Sequence, residues 1–278
     1  MLRQRIVTAV VLLALLLPAL IVDRVWPFAL LSLVVFAAGG WEWARLNEAG
    51  RLAVPLGVGL GIACGLAFWA GWTTSAPRAA WWMAMGAWVL GGAWVLSRGV
   101  AGWPRLPRAI RCGVGLLALW TAWLAMANAK AGGLNFILSV FFLVWTADIF
   151  AYFGGRAFGK RKLAPAISPG KSWAGVWSGM LGVLLVAGAW VFVDGRGMTY
   201  YDSFYTIVNE RLTTIGLALV VVFLVAMSVV GDLFESLVKR SAGAKDSSGL
   251  LPGHGGILDR VDALLPVFPI ALALAPIS

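Results

Sequence analysis

Nine apolar stretches, at residues 6–22, 25–40, 53–72, 79–96, 109–127, 134–153, 173–193, 213–233 and 261–277, take up most of this 278-residue chain. Most approach the roughly 20 residues that an α-helix needs to cross about 30 Å of hydrocarbon, about twice the length of a membrane β-strand. Runs of this length dictate an all-α, polytopic integral membrane protein with about nine transmembrane helices. Composition agrees, since 61% of the residues are apolar and only 12% are charged, against about 25% charged in a soluble domain. The second stretch is short and the ninth carries Pro266, Pro269 and Pro276, so the expectation spans about eight to ten crossings. The opening MLRQR and its apolar run have no small-x-small cleavage site before the next run, which favours a retained helix over a cleaved leader.

Charge sets the orientation. If the nine stretches alternate from an inside N-terminus, Arg24, Arg78, Lys130, Arg196 and Arg211 fall outside, and the other 17 of the 22 Lys and Arg fall inside. This is the bias of the positive-inside rule. Cys64 and Cys112 lie in apolar runs without metal-ligand spacing and are expected to be buried free thiols. The tryptophans gather near span ends (Trp26, Trp41, Trp43, Trp72, Trp81, Trp82, Trp103), which suits an interfacial belt.

No soluble domain, long linker or fixed-period repeat is visible, so residues 1–278 read as one membrane domain. Residues 1–130 carry ionisable groups mainly at span ends, where Trp41-Glu42-Trp43 stands out, and read as scaffold. Residues 131–278 read as the catalytic half. There Asp148 lies inside an apolar span, with Tyr152 and Arg156 following at one-turn intervals on the same helix face. The next loop, GRAFGKRKLAPAISPGKSW, sets Arg156, Lys160, Arg161, Lys162 and Lys171 among Gly and Pro, the composition of an anion-receiving loop. Arg161 and Lys162 serve equally well as topology determinants. Lys171, between Gly170 and Ser172 at a helix opening, points more strongly to an anion.

The densest chemistry follows. Asp232, Glu235, Ser236 and Lys239 share one helix face by their spacing. A Glu235–Lys239 pair is compatible with surface stabilisation alone, whereas Asp232 lies a turn deeper, where an unpaired carboxylate is costly. After Lys245-Asp246 comes Pro252-Gly253-His254-Gly255-Gly256, a turn that no helix can continue, and then Asp259, Arg260 and Asp262. Two helices joined by this turn can bring Asp232 and Asp259 together, and facing carboxylates need a proton or a cation. An oxygen-only site suits Mg²⁺, which uses one or two carboxylates plus substrate phosphates. There is no GxxxxGK[ST] loop, no GxGxxG fingerprint after a strand and no HExxH pair. Phosphoryl or nucleotidyl transfer is the chemistry these parts fit best.

The spaced set Ser236, Lys239, Arg240, Lys245, Asp246, Pro252, His254, Gly255, Gly256, Asp259, Arg260 and Asp262 resembles the signature of the phosphatidate cytidylyltransferases, or CDP-diacylglycerol synthases. Upstream, Gly231 to Ser236, Asp148 with residues 151–173, and Trp41-Glu42-Trp43 extend the resemblance over most of the chain. It implies transfer of CMP from CTP to phosphatidic acid, giving CDP-diacylglycerol and pyrophosphate in phospholipid biosynthesis. The expected setting is a polar cavity facing the cytoplasm from a bacterial-type inner membrane. The metal ligands it implies are Asp232 and Asp259, holding Mg²⁺ with room for a second cation. The expected catalytic set is Asp232, Lys239, Lys245, Asp259 and Arg260. The expected substrate-binding set is Asp148, Arg156, Lys160, Ser168, Lys171, Ser236, Arg240, Asp246, His254, Gly255, Gly256 and Asp262. Partners are then CTP, phosphatidic acid and membrane lipid, with a homodimer left open and nucleic acid not expected. One departure stands out: Ala174 occupies a position where the family usually has Glu, so that acid's role does not carry over. The alternatives are a CTP-dependent lipid kinase, which would release CDP, and a secondary transporter with Asp148 and Asp232 as coupling-ion sites.

Overall fold

A computed structural model describes residues 2–275, apart from the side chains of residues 2–6 and 9. Pro276 and Ile277, which close the ninth apolar stretch, and the side chains of Arg3 and Arg5 lie outside the described residues. In chain order the helices are α1 (Leu2–Ile21), α2 (Val25–Leu46), α3 (Ala53–Trp69), α4 (Trp72–Ser75), α5 (Arg78–Gly86), α6 (Gly92–Gly102), α7 (Arg108–Ala131), α8 (Leu134–Phe158), α9 (Trp173–Asp194), α10 (Phe204–Ser241), α11 (Leu258–Val261) and α12 (Leu264–Leu274). Between α8 and α9, β1 (Lys162–Ala164) pairs antiparallel with β2 (Ser168–Ser172), so the basic loop is a short ribbon.

Among the described residues, seven helical segments are long and apolar enough to cross a membrane: 25–46, 50–69, 78–105, 108–131, 134–158, 173–194 and 204–241. The protein is thus an all-α, multi-pass membrane protein, and the described residues supply seven of the nine expected crossings. At the start, the apolar part of α1 among the residues with described side chains is Val10–Ile21. At the other end, the 11 residues of α12 rise only about 16 Å, half a bilayer. All of α12 except Leu274 is buried, among α5, α7, α8 and α10. Its near-continuous hydrophobicity thus reflects a core position rather than contact with lipid.

Two helices outrun their apolar stretches, and both extensions matter for the site. The second helix continues to Leu46, six residues past the expected stop at Gly40, and carries Glu42 and Trp43 into the interior. Meanwhile α10 runs for 38 residues, about 57 Å of helix. Thr213, at φ 65°, breaks it into an initial segment and a long spanning segment. The surplus length projects the Asp232–Lys239 face beyond the apolar part of the helix.

Aromatic packing binds the two halves together. Trp43 stacks on Phe234 at 5.6 Å between ring centroids, and Trp103 meets Phe234 edge-on at 5.5 Å. Trp43 donates to the Arg111 carbonyl and Trp103 to Asn47, so each buried indole N–H is satisfied. Trp43, Trp81 and Trp103 are therefore core residues, whereas Trp26, Trp72 and Trp82 are exposed as a belt requires. Cys64 and Cys112 are buried free thiols. The α8–α9 contact is close enough that a Cβ on Gly179 would lie 2.9 Å from the Ala147 carbonyl oxygen, and that closeness brings the start of α9 beside Asp148.

Candidate active site

One face of α8 presents Asp148, Tyr152 and Arg156 at one-turn spacing, with Arg156 donating to the Tyr152 hydroxyl at 3.2 Å. These three, with Lys162, Lys171, Ser172 and Asp232, line a cavity of about 580 Å³ whose apolar walls come from α8, α9 and α10. Ser172 caps α9 by accepting from the Gly175 N–H. The helix therefore opens toward the cavity with its N-terminal dipole end, which favours anions. Lys171 Nζ lies 2.6 Å from Asp232 Oδ2, and Ser236 donates to the other oxygen of Asp232 at 3.2 Å. Asp148 and Asp262 are within electrostatic reach of both Lys171 and Asp232.

A second polar cluster continues from the first along α10. Lys239 Nζ sits between Glu235 Oε2 at 2.6 Å and Asp259 Oδ1 at 2.5 Å. Asp259 Oδ2 accepts from the Ser247 N–H at 3.0 Å and the Gly256 N–H at 2.7 Å, and the Ser247 hydroxyl, 3.0 Å away, is shared between it and Glu42. Burial works against ionisation of Asp259, but the hydrogen bonds from Lys239, Gly256 and Ser247 outweigh it and hold the carboxyl below the usual carboxylate range. Gly253 and Gly255 take φ of 78° and 81°, which only glycine adopts at little cost. The chain thereby reverses and delivers Gly256 and Asp259 to this cluster.

The sequence-expected residues divide by position. Asp148, Arg156, Lys171 and Asp232 face the cavity. Lys239, Asp259, Gly256 and Ser236 form the continuation just described, with Asp262 close to the Asp232 side. Lys160, Ser168, Lys245 and Asp246 are not among the cavity walls, and Lys160, Lys245 and Asp246 are exposed. Two arginines are engaged by backbone carbonyls: Arg240 by Ile167 and Ala244, and Arg260 by His254. Their visible work is to hold the ribbon and the glycine turn in shape. The Nδ1 of His254 is buried without a hydrogen-bond partner. Asp232 and Asp259 are each paired with a different lysine.

Three participants were not in the expected set. Glu42 is fully buried and accepts four hydrogen bonds from residues 247–258. Glu235 is 1% exposed, so its pairing with Lys239 is an interior feature rather than surface stabilisation. Ser247, also buried, touches both Glu42 and Asp259. The signal for Glu42 was available, as an acid flanked by tryptophans at the end of an apolar run. Its partner more than 200 residues away had no local signature.

Fold and site together define a multi-pass membrane protein that gathers carboxylates and lysines beside a helix N-terminus. The chain matches the cytidylyltransferase family over residues 3–277 and belongs to that family. It is 42% identical over 284 residues to a phosphatidate cytidylyltransferase of Pseudomonas aeruginosa, covering 99% of this chain and 97% of that protein. It is 36% identical over 296 residues to one from Haemophilus influenzae, covering 97% and 96%. A Bacillus subtilis phosphatidate cytidylyltransferase is 38% identical over 142 residues, about half of each chain. The resemblance carried by the spaced set from Ser236 to Asp262 is borne out.

Proposed function

We propose that the chain transfers the cytidylyl group of CTP to phosphatidic acid, giving CDP-diacylglycerol and pyrophosphate. The observation that carries this reading is the Lys171–Asp232 pair set at the α9 N-terminus, on the wall of a cavity bounded by membrane-embedded helices. Basic groups and an open helix end attract phosphates, while apolar walls suit a substrate whose acyl chains stay in the leaflet.

The phosphate oxygen of phosphatidic acid attacks the α-phosphorus of CTP. A P–O bond forms there as the bond to the departing pyrophosphate breaks, and no protein nucleophile is needed. Two anions must therefore meet. At an effective dielectric near 20, two unit charges about 4 Å apart repel by roughly 4 kcal/mol. Lys171, with Arg156 and Lys162 on the same walls, offsets that repulsion and orients both substrates. Lys239 and Asp259 hold the turn that adjoins them, and Lys245, Arg260 and His254 lie on or beside it.

The residues fit a divalent cation. Asp148, Asp232 and Asp262 lie within electrostatic reach of one another, and Glu235 Oε1 is buried with no hydrogen-bond partner. Among the described residues, no three His, Cys, Asp or Glu side chains already form a metal-holding group. Asp232 and Asp259 are the residues that would hold Mg²⁺, each releasing its lysine toward substrate phosphate. When bound, the ion would neutralise charge building on the phosphate oxygens.

The Lys and Arg of the β1–β2 ribbon and of residues 239–245 gather at this end of the bundle, which supports a site facing the cytoplasm, where CTP is available, in a single membrane domain whose reacting groups come from residues 131–278. Purified protein given CTP labelled at the α-phosphorus, phosphatidic acid and Mg²⁺ should move label into lipid and release unlabelled pyrophosphate. Release of CDP with γ-phosphate transfer would instead identify a lipid kinase and overturn the reading. For orientation, Lys245→Cys should react with an impermeant thiol reagent only from the cytoplasmic side.

A further inference from the structure

Glu42 lies in α2, in the half of the chain that reads as scaffold, and it is 0% exposed. Its Oε1 accepts from the Ser248 hydroxyl and, at 3.0 Å, from the Ile257 N–H. Its Oε2 accepts from the Ser247 hydroxyl at 3.0 Å and the Leu258 N–H at 2.8 Å. Donors thus meet both oxygens, and among the described residues no Lys or Arg forms an ion pair with Glu42. An ionised carboxylate, an acceptor only, is the side chain that complements such a set. Buried and unpaired with a cation, it depends on those four donors for its stability.

Those donors bracket the glycine turn. Ser247 and Ser248 precede it, Ile257 and Leu258 follow it, and Asp259 is the next residue. Glu42 therefore ties the two ends of the turn together from beneath. Gly256 lies within this clamp, where a Cβ would come 2.5 Å from Glu42 Oε1 and 2.0 Å from Ser247 Oγ. The Ser247 hydroxyl lies 3.0 Å from both Glu42 Oε2 and Asp259 Oδ2, with a single proton to give. When Glu42 takes that proton, Asp259 Oδ2 keeps only its two backbone donors.

We infer that Glu42 is a positioning residue, a buried anionic clamp that holds segment 247–258 in the shape that aims Asp259 at the site. The inference rests on the proposed function for its catalytic consequence. Its structural half stands apart from that reading and is tested separately.

The test uses the full chain in detergent micelles. Glu42→Gln keeps size and shape but turns an N–H₂ toward groups that are themselves donors. Amide hydrogen exchange at Ile257 or Leu258, whichever N–H then faces the new NH₂, should accelerate about tenfold or more, with the rest of the bundle unchanged, because that buried donor loses its acceptor. In the same variant kcat should fall about a hundredfold, with KM for CTP moving less than about threefold, because the substrate-binding cavity walls are untouched. Unchanged exchange at residues 257 and 258, or loss of protection spread evenly over the bundle, would overturn the clamp. So would kcat within about twofold of the parent. If Glu42→Gln does not fold, Glu42→Asp keeps the charge but withdraws the carboxylate by one methylene from both backbone donors, and exchange at Ile257 and Leu258 should rise about threefold; no rise at either overturns the inference. Absence of cytidylyl transfer in the unaltered chain would instead refute the proposed function, while the exchange pattern still decides the clamp.

Discussion

The bundle closes its two ends by opposite electrostatic strategies. Opposite the active-site end, Asp194 at the C-terminus of α9 is surrounded by neutral donors: Asn135 at 3.0 Å, Thr199 at 2.9 Å, the Ser203 N–H at 3.1 Å and Thr206 at 2.6 Å. Asn135 in turn accepts from Trp190. A single carboxylate there is fully satisfied by groups from the α9–α10 connection and the start of α8, and the result is a structural knot. At the other end, beside the cavity, Lys171 pairs with Asp232, Lys239 lies between Glu235 and Asp259, and Glu235 Oε1 has no hydrogen-bond partner. A buried oxygen left without a donor is costly unless something else binds there. Asp194, met by neutral donors alone, holds its end of the bundle together, whereas the ion pairs beside the cavity are the groups a charged ligand could exchange with.

Substitutions at the two ends should separate these roles. The largest effect is expected from Asp259→Asn, which removes the charge shared by Lys239, Ser247 and Gly256. CTP-dependent product formation by folded protein should drop about a thousandfold, and near-normal turnover would remove Asp259 from the proposed metal and phosphate site. Next, Lys171→Ala should lower kcat/KM about a hundredfold, because a cation that meets phosphate charge in the cavity is lost. Combining it with Asp232→Asn should cost less than the two single losses together, since the pair acts as a unit; strict additivity would show that they work independently. At the opposite end, Asp194→Ala should leave kcat within about twofold while lowering unfolding stability by about 1–3 kcal/mol through orphaned donors. A large kinetic effect there would erase the contrast between the ends. The smallest effect belongs to Lys160→Ala at the exposed rim, where solvent and salt screen the charge, with activity expected within about twofold.

Much of this arrangement was legible in residue order. Helical spacing predicted the Asp148–Tyr152–Arg156 face, the Ser172–Trp173 helix opening and the shared face of Asp232, Glu235, Ser236 and Lys239. Each depends on neighbours within a turn or two. Hydropathy misjudged α12, because a helix buried in protein and one bathed in lipid have the same apolar composition. Hydropathy also stopped α2 at Gly40, since Glu42 signals a span's end unless its partners are known. Those partners are Ser247, Ser248, Ile257 and Leu258, and only the folded chain brings them within reach. Ala174 sits in the first turn of α9, and nothing in the structure assigns its neighbours the role of the missing acid.

The burial of α12 has a consequence for how the protein is made. Its packing partners α5, α7, α8 and α10 all precede it in the chain. The ribosome therefore delivers those helices to the membrane before the piece that fills the space between them exists. Until then the interior they share has an unfilled gap, and the turn that carries Asp259 leads directly into the missing piece. Assembly of the proposed reacting groups and closure of the bundle thus coincide as a late event in biogenesis, so a chain stalled shortly before α12 is expected to be inserted yet inert.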